Sequence, residues 1–198
     1  MTSRPAGLSI LRRITYLRIA LLPVVMALVL WGDRVRFAFA AGAVLFAVAA
    51  LTDFLDGYLA RRWGMTTTLG SFLDTTADKL LVSGVLVALV AVGRASPWVA
   101  TVIIGRELVI LGLRGVVAAD GTIVKPSIWG KMKANVQFLA ILLSILRPPA
   151  AIGPLLLDEW VMIVAAVVTV YSGVEYLVRF APVFRTAGRA ERDPGRRR

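Results

Sequence analysis

Four aspartates lie close together in the chain, in a stretch with apolar sequence on both sides. They are Asp53, Asp56, Asp74 and Asp78. On insertion scales an aspartate inside a bilayer costs on the order of 2.5 to 3.5 kcal/mol, and charged residues found there usually serve a function. Four such carboxylates therefore need a compensating cation or a water-filled site.

Helical spacing places these acids on two faces, each with small residues beside the acids. One face carries Asp53, Asp56, Gly57 and Ala60, and the other carries Gly70, Asp74 and Asp78. The connection at 62–68 is short and polar and contains Gly64, which predicts an antiparallel helical hairpin. Such a hairpin brings all four carboxylates together.

Convergence of four carboxylates predicts a metal site, because like charges share a site only when they are protonated or neutralised. Oxygen ligands suit a hard divalent ion such as Mg²⁺, Mn²⁺ or Ca²⁺. Since Mg²⁺ takes few carboxylates and completes its shell with water and phosphate oxygens, four ligands suit two ions.

The alternative is a structural ion network, in which the acids pair with Arg61, Arg62, Lys79 or an arginine of another helix. Glycine and alanine beside the acids favour a bound ligand over this alternative. Small residues let a ligand approach the helix backbone closely, and an ion network does not need them.

Composition bounds the class of protein. Of the 198 residues, 58% are hydrophobic, and the mean hydropathy of +0.78 exceeds that of ordinary soluble domains. The absence of cysteine and histidine excludes disulfides and thiolate nucleophiles, so a general base must be a carboxylate, a lysine or a tyrosine. The net charge of +11 comes from residues at helix ends and in the tail, which favours anionic lipid over nucleic acid as a partner.

These patterns predict an all-α integral membrane protein with about six transmembrane helices. The five tryptophans fall at the ends of the predicted spans, as interfacial residues do. The bias of Lys and Arg between the connections predicts that both termini are cytoplasmic and that the acidic hairpin turns on the same side, so that its site opens to the cytoplasm. The predicted spans are 14–31, 35–60, 68–93, 97–118, 128–147 and 155–180.

Three regions are expected along the chain. Residues 1–13 form a juxtamembrane segment, either a short helix on the membrane surface or a frayed terminus. Residues 14–182 form the transmembrane catalytic domain. The basic tail, 183–198, is expected to be disordered and attracted to anionic lipid.

The acidic stretch resembles the motif of the CDP-alcohol phosphatidyltransferases, which are integral membrane enzymes that make phospholipids. The motif reads Asp53-x2-Asp56-Gly57-x2-Ala60-Arg61-x8-Gly70-x3-Asp74-x3-Asp78. The resemblance implies transfer of a phosphatidyl group from CDP-diacylglycerol to an alcohol, with release of CMP. It also implies a homodimer in the bacterial cell membrane, with the active site facing the cytoplasm.

The resemblance also implies roles for the motif residues. All four aspartates would hold Mg²⁺ or Mn²⁺, and Asp78 would also accept the proton of the acceptor hydroxyl. Gly57, Ala60 and Gly70 would leave room for the cytidine, and Arg61 would reach phosphate.

Two further stretches, GRELVILGLR and SIWGKMKANVQ, resemble the bacterial phosphatidylglycerophosphate synthases of this family. This implies glycerol 3-phosphate as the acceptor, its phosphate held by Arg106, Arg114 and Lys131. For Arg106, pairing with Glu107 or an aspartate is the structural alternative. Two positions depart from the patterns, since Arg12 replaces an asparagine of the family and Thr75 a proline common in the subgroup.

Other functions remain open at this point. Within the family, the acceptor could be an inositol phosphate, inositol, serine or phosphatidylglycerol. Outside it, a cation channel or transporter would also place carboxylates in the membrane. Such a protein would explain the acids, but not Gly57, Ala60, Arg61 and Gly70 at their spacing.

Overall fold

The protein is a bundle of helices, seen here in a computed structural model. The structure describes the backbone of residues 4–63, 68–119 and 128–192, and the side chains of 16–52, 75–117, 130 and 132–181. The helices are α1 (Arg4–Leu30), α2 (Ala38–Trp63), α3 (Thr68–Ala91), α4 (Pro97–Ala119), α5 (Ile128–Leu146) and α6 (Leu157–Arg192). The prediction of six helices is confirmed.

A small β-hairpin between α5 and α6 was not predicted. Strands β1 (Ala151–Ile152) and β2 (Leu155–Leu156) pair antiparallel, with Ala151 opposite Leu156. Gly153 has a φ of 65°, a conformation that glycine adopts without strain and that tight hairpin turns often require. The fold is therefore helical apart from this one feature of the described chain.

The ends of the chain also differ from expectation. Helix α1 is continuous from Arg4, so most of the predicted juxtamembrane segment belongs to the same helix as the first predicted span. Helix α6 continues through Pro182 to Arg192, so residues 183–192, expected to be disordered, are helical. Residues 183–192 contain no proline and only one glycine, Gly188. A helix tolerates a single glycine, so the local sequence does not end α6. Residues 193–198 lie outside the described part of the chain.

Local sequence explains where several helices begin and end. Helix α3 ends before Gly93, which has a φ of 69°, and α4 begins at Pro97, a residue favoured in the first turn. Two prolines follow Arg147 after the end of α5. In the first turn of α6, Glu159 Oε2 accepts a hydrogen bond from the backbone N–H of Leu156 at 2.9 Å.

The core joins all six helices. Helix α1 packs against α2 and α3, while α6 packs against α4 and α5. Phe46 of α2 is 1% exposed and stacks on Phe138 of α5, with ring centroids 5.2 Å apart, which links the two groups of helices. The other buried apolar side chains of this core include Val25, Val29, Val85, Leu86, Leu89, Ile103, Ile141, Ile145, Met162 and Ala165.

The outer surface is also apolar. Large side chains such as Val44, Val87, Val109, Val167 and Val178 are all more than half exposed. A helix that is apolar on its outer face as well as its inner face is typical of a membrane span. This surface fits the predicted membrane protein.

Length and composition identify one membrane-crossing candidate among the described residues, Leu157–Ala181 of α6. Three shorter apolar stretches, Tyr16–Leu30, Ala38–Thr52 and Met132–Leu146, lie in α1, α2 and α5. The number of spans and their orientation therefore stay predictions.

At one end of the bundle, Arg94 and Arg147 donate hydrogen bonds to backbone carbonyls at or just beyond the ends of helices. Arg94, in the α3–α4 connection, donates to the backbone carbonyl of Ile145 at 2.6 Å and lies over the ring of Phe39. Arg147 donates to the carbonyl of Gly93 at 3.3 Å and pairs with Glu159 at 3.6 Å. These contacts lie at the end of α3 that is remote from Asp78.

The Phe46 contact predicts a stability difference between two positions of one helix. Phe46→Ala removes a buried ring and leaves a cavity, so we expect it to destabilise the protein by about 3 kcal/mol. Val44→Ala, at a position that is 61% exposed, is the matched control and should change stability little. Thermal unfolding in detergent micelles measures both, and equal melting temperatures for the two variants would contradict the packing described here.

Candidate functional site

The acidic motif lies on α2 and α3, on both sides of their connection. Asp53 and Asp56 belong to the last turns of α2, while Asp74 and Asp78 belong to the first half of α3. Only residues 64–67 separate the two helices, so the motif residues lie near the same end of both. Two helices joined by a short connection are therefore present as predicted, and their antiparallel packing against each other stays a prediction.

Most motif side chains lie outside the described residues. This holds for Asp53, Asp56, Gly57, Ala60, Arg61, Gly70 and Asp74, and also for Lys131 of the predicted acceptor site. Among the side chains that the structure does describe, no group of three or more acids forms a metal site. Convergence of the four carboxylates stays a prediction.

Asp78, the last acid of the motif, is partly exposed and has a cation beside it. Its side chain is 39% exposed, and Lys79 Nζ donates to its Oδ2 at 2.6 Å. The pairing with Lys79 that the structural alternative named is therefore present for this one acid. A partly exposed carboxylate can still exchange such a partner for a ligand, since exposed pairs contribute little free energy.

Lys79 does not belong to Asp78 alone. Its ammonium also lies 3.1 Å from Oε2 of Glu107, on α4. Glu107 is 1% exposed and is contacted by two more cations. Lys133 of α5 donates to its Oε1, and Arg106 Nη1 lies 3.3 Å from the same oxygen.

These residues form a cluster that we call the Glu107 cluster: Lys79, Arg106, Glu107 and Lys133. Three cations surround one carboxylate inside the bundle, and they come from α3, α4 and α5. Burial of charge is costly unless opposite charges lie in contact, so the pairings stabilise each member. Positive charge exceeds negative charge within the cluster, which suits the binding of an anion.

Arg106 is held from two sides. Its Nη1 faces Glu107, and its Nη2 donates to Ser172 Oγ of α6 at 2.8 Å. A side chain at Gly173 would crowd Arg106, because a Cβ there would lie 3.1 Å from Arg106 Cγ. Its Nε is buried and has no hydrogen-bond partner in the described chain. Each η nitrogen carries two N–H groups, and the contacts above use one of each, so Arg106 has further donors for a ligand.

The predicted acceptor residues are thus placed in part. Arg106 lies inside the bundle, as expected, and its pairing with Glu107 is also present. Arg114 is exposed on α4, two turns further on. The hydroxyl of Tyr176 on α6 is buried and has no hydrogen-bond partner within the described residues.

The sequence analysis assigned no role to Lys133 or Ser172, and it did not identify Lys79 as a partner of Glu107. A signal existed for Lys133, since it lies four residues before Gln137 and both are buried on one face of α5. Gln137 Nε2 donates to Thr169 Oγ1 of α6 at 2.7 Å. A polar face on an otherwise apolar helix indicates a polar interior, which the spacing alone could have suggested.

Comparison with known proteins agrees with the motif. The family model described as CDP-alcohol phosphatidyltransferase matches residues 11–171. This range includes the acidic motif and the Glu107 cluster and ends within α6, one residue before Ser172. It therefore covers most of the bundle.

Three relatives are similar over most of the chain. The CDP-diacylglycerol–glycerol-3-phosphate 3-phosphatidyltransferase of Bacillus subtilis (strain 168) is 38% identical over 88% of this chain and 96% of its own length. The probable phosphatidylglycerophosphate synthase of Mycobacterium tuberculosis (strain H37Rv) is 40% identical over 84% of this chain and 78% of its own. The CDP-diacylglycerol–glycerol-3-phosphate 3-phosphatidyltransferase of Escherichia coli (strain K12) is 39% identical over 69% of this chain and 76% of its own length.

Both the family model and these relatives span far more than the acidic stretch, and the likeness covers most of the bundle. The chain belongs to the CDP-alcohol phosphatidyltransferase family.

Proposed function

We propose that the protein transfers the phosphatidyl group from CDP-diacylglycerol to glycerol 3-phosphate, giving phosphatidylglycerophosphate and CMP. The observation that carries this proposal is the position of Lys79, which contacts both Asp78 of the motif and Glu107. Lys79 thus lies directly beside the acid expected to act on the acceptor hydroxyl, and it shares Glu107 with Arg106 and Lys133. The names of the relatives support the same substrates.

The cation cluster favours an acceptor that carries a phosphate. Guanidinium and ammonium groups bind phosphate through charge-assisted hydrogen bonds, and the described contacts use only two of the five N–H groups of Arg106. Serine and free inositol carry no phosphate group for these cations to bind. Inositol phosphate does, and it remains the second candidate acceptor.

The chemistry follows from a carboxylate beside the acceptor. The hydroxyl oxygen of the acceptor attacks the phosphorus that carries the diacylglycerol, and the bond from that phosphorus to the CMP oxygen breaks. Asp78 takes the proton of the hydroxyl, because the chain has no histidine to do so. Arg106, Arg114 and Lys131 hold the acceptor phosphate, and Lys133 and Lys79 add positive charge beside it.

The motif residues serve the nucleotide substrate. Gly57, Ala60 and Gly70 leave space for the cytidine, and Arg61 reaches its phosphates. The all-oxygen ligand set of Asp53, Asp56, Asp74 and Asp78 fits two Mg²⁺ or Mn²⁺ ions, which would neutralise the diphosphate and stabilise the leaving CMP. The partial exposure of Asp78 is consistent with access to such ions.

We place the enzyme in the bacterial cell membrane as a multi-pass protein, with the acidic end of the bundle toward the cytoplasm. The apolar outer surface of the helices supports a membrane, and the distribution of Lys and Arg supports this orientation. A homodimer is proposed from the family resemblance alone.

The proposed reaction predicts CMP release that depends on both a divalent ion and a phosphorylated acceptor. Purified protein is given CDP-diacylglycerol, Mg²⁺ or Mn²⁺, and one of five acceptors: glycerol 3-phosphate, inositol phosphate, inositol, serine or phosphatidylglycerol. We expect the fastest release with glycerol 3-phosphate and none with EDTA. Faster CMP release with another acceptor would show that this acceptor, and not glycerol 3-phosphate, is the substrate. Ion flux through liposomes that hold the protein, without CMP release, would indicate a channel or transporter.

Asp78 is predicted to be the general base. Asp78→Asn keeps the shape of the side chain but cannot accept a proton, so we expect CMP release to fall below detection while the protein still inserts and purifies. Asp33→Asn, in the exposed α1–α2 connection, is the control and should keep full activity. Retained turnover in Asp78→Asn would refute the assigned role.

Arg106 is predicted to bind the acceptor rather than the nucleotide. A hydrogen bond to a charged group is worth about 1.5 to 3 kcal/mol, so Arg106→Ala should raise the KM for glycerol 3-phosphate about tenfold to a hundredfold. The KM for CDP-diacylglycerol should change less. Arg36→Ala, at an exposed arginine beside Phe37, is the control. The reverse pattern of KM values would assign Arg106 to the nucleotide.

A further inference from the structure

The least exposed ionisable group of the Glu107 cluster is Glu107 itself, and its role is not explained by substrate binding. A carboxylate repels phosphate, so it would weaken acceptor binding if it acted only through its charge. Yet it lies at the centre of the cations, 1% exposed, on the same helix as Arg106. Its position needs another explanation.

The contacts of Glu107 divide between its two oxygens. Oε1 is contacted by the ammonium of Lys133 from α5 and by the guanidinium of Arg106 from α4. Oε2 lies 3.1 Å from the ammonium of Lys79 from α3. Both oxygens are thus occupied by cations from different helices. Long, flexible side chains lose much rotamer freedom when held in this way, and that freedom is lost before a substrate arrives.

Arg106 is also held by side chains from two helices. Glu107 holds one η nitrogen, Ser172 of α6 holds the other, and Nε has no partner in the described chain. A guanidinium has five N–H groups, so one that is fixed through both η nitrogens holds its other N–H groups in set directions. Glu107 and Ser172 together therefore fix the orientation of Arg106.

We propose that Glu107 is a positioning residue, which orients Lys79, Arg106 and Lys133 so that their remaining donors meet the phosphate of the acceptor. This rests on the proposed function, in which a phosphorylated alcohol binds beside these cations. Glu107 itself does not touch the substrate. Its contact with Lys79 also sets the position of the cation next to Asp78.

The proposal predicts the sign of a change in KM. Glu107→Gln keeps the size of the side chain and removes its charge. If Glu107 only offset positive charge, its removal would tighten phosphate binding and lower the KM for glycerol 3-phosphate. If it positions the cations, the KM for glycerol 3-phosphate rises about tenfold or more, because small misplacements of binding groups are costly. The KM for CDP-diacylglycerol should change by less than about threefold.

Ser172→Ala supplies a second variant in case Glu107→Gln fails to fold. It removes the other hydrogen bond that holds Arg106 and leaves every charge of the cluster in place. We expect a rise in the same KM that is smaller than in Glu107→Gln, with kcat less affected than KM. Glu159→Gln is the matched control, since Glu159 pairs with Arg147 at the other end of the bundle, and both KM values should be those of the unaltered protein.

The outcomes separate the proposal from its alternatives. A lower KM for glycerol 3-phosphate in Glu107→Gln, or a lower melting temperature with both KM values unchanged, would overturn the positioning role. So would an unchanged KM in Ser172→Ala together with an unchanged KM in Glu107→Gln. Absence of CMP release by the unaltered protein with glycerol 3-phosphate would instead overturn the proposed function.

Discussion

Charge inside a bundle of apolar helices is stable only where opposite charge lies in contact with it. The Glu107 cluster satisfies this constraint with one carboxylate for three cations, drawn from α3, α4 and α5. Arg106 then reaches Ser172, which brings α6 to the same place. Four helices are thereby linked through polar contacts that would be costly to break, because each broken pair would leave a charge buried alone.

Much of the fold could be predicted because its helices are long and their breaks are local. Apolar runs of about 20 residues, separated by Gly93, Pro97 or the polar connection after Trp63, mark helices without knowledge of their partners. The β-hairpin was missed because two pairs of residues are too few for a periodic pattern. The helical extension to Arg192 was missed because composition alone does not distinguish a charged helix end from a disordered tail.

The candidate site divides in the same way. The acids of the motif could be read from spacing, since residues three or four apart share a helical face. The pairing of Glu107 with its neighbour Arg106 could be expected from the sequence. The contacts with Lys79 and Lys133 could not, because these residues lie 28 before Glu107 and 26 after it, and only the packing of the helices brings them to it. Spacing within a helix is a property of the sequence, whereas contact between helices is a property of the packed bundle.

The charge balance of the site depends on what Asp78 binds. While Lys79 pairs with Asp78, the three cations of the cluster have two carboxylates, Asp78 and Glu107, beside them. Were Asp78 to turn toward a metal ion, only Glu107 would remain, and the cluster would carry two positive charges in excess. A phosphate monoester carries nearly two negative charges at neutral pH. Under the proposed function, binding of the ion at the acidic motif would therefore favour binding of the acceptor phosphate, because both would act through Lys79.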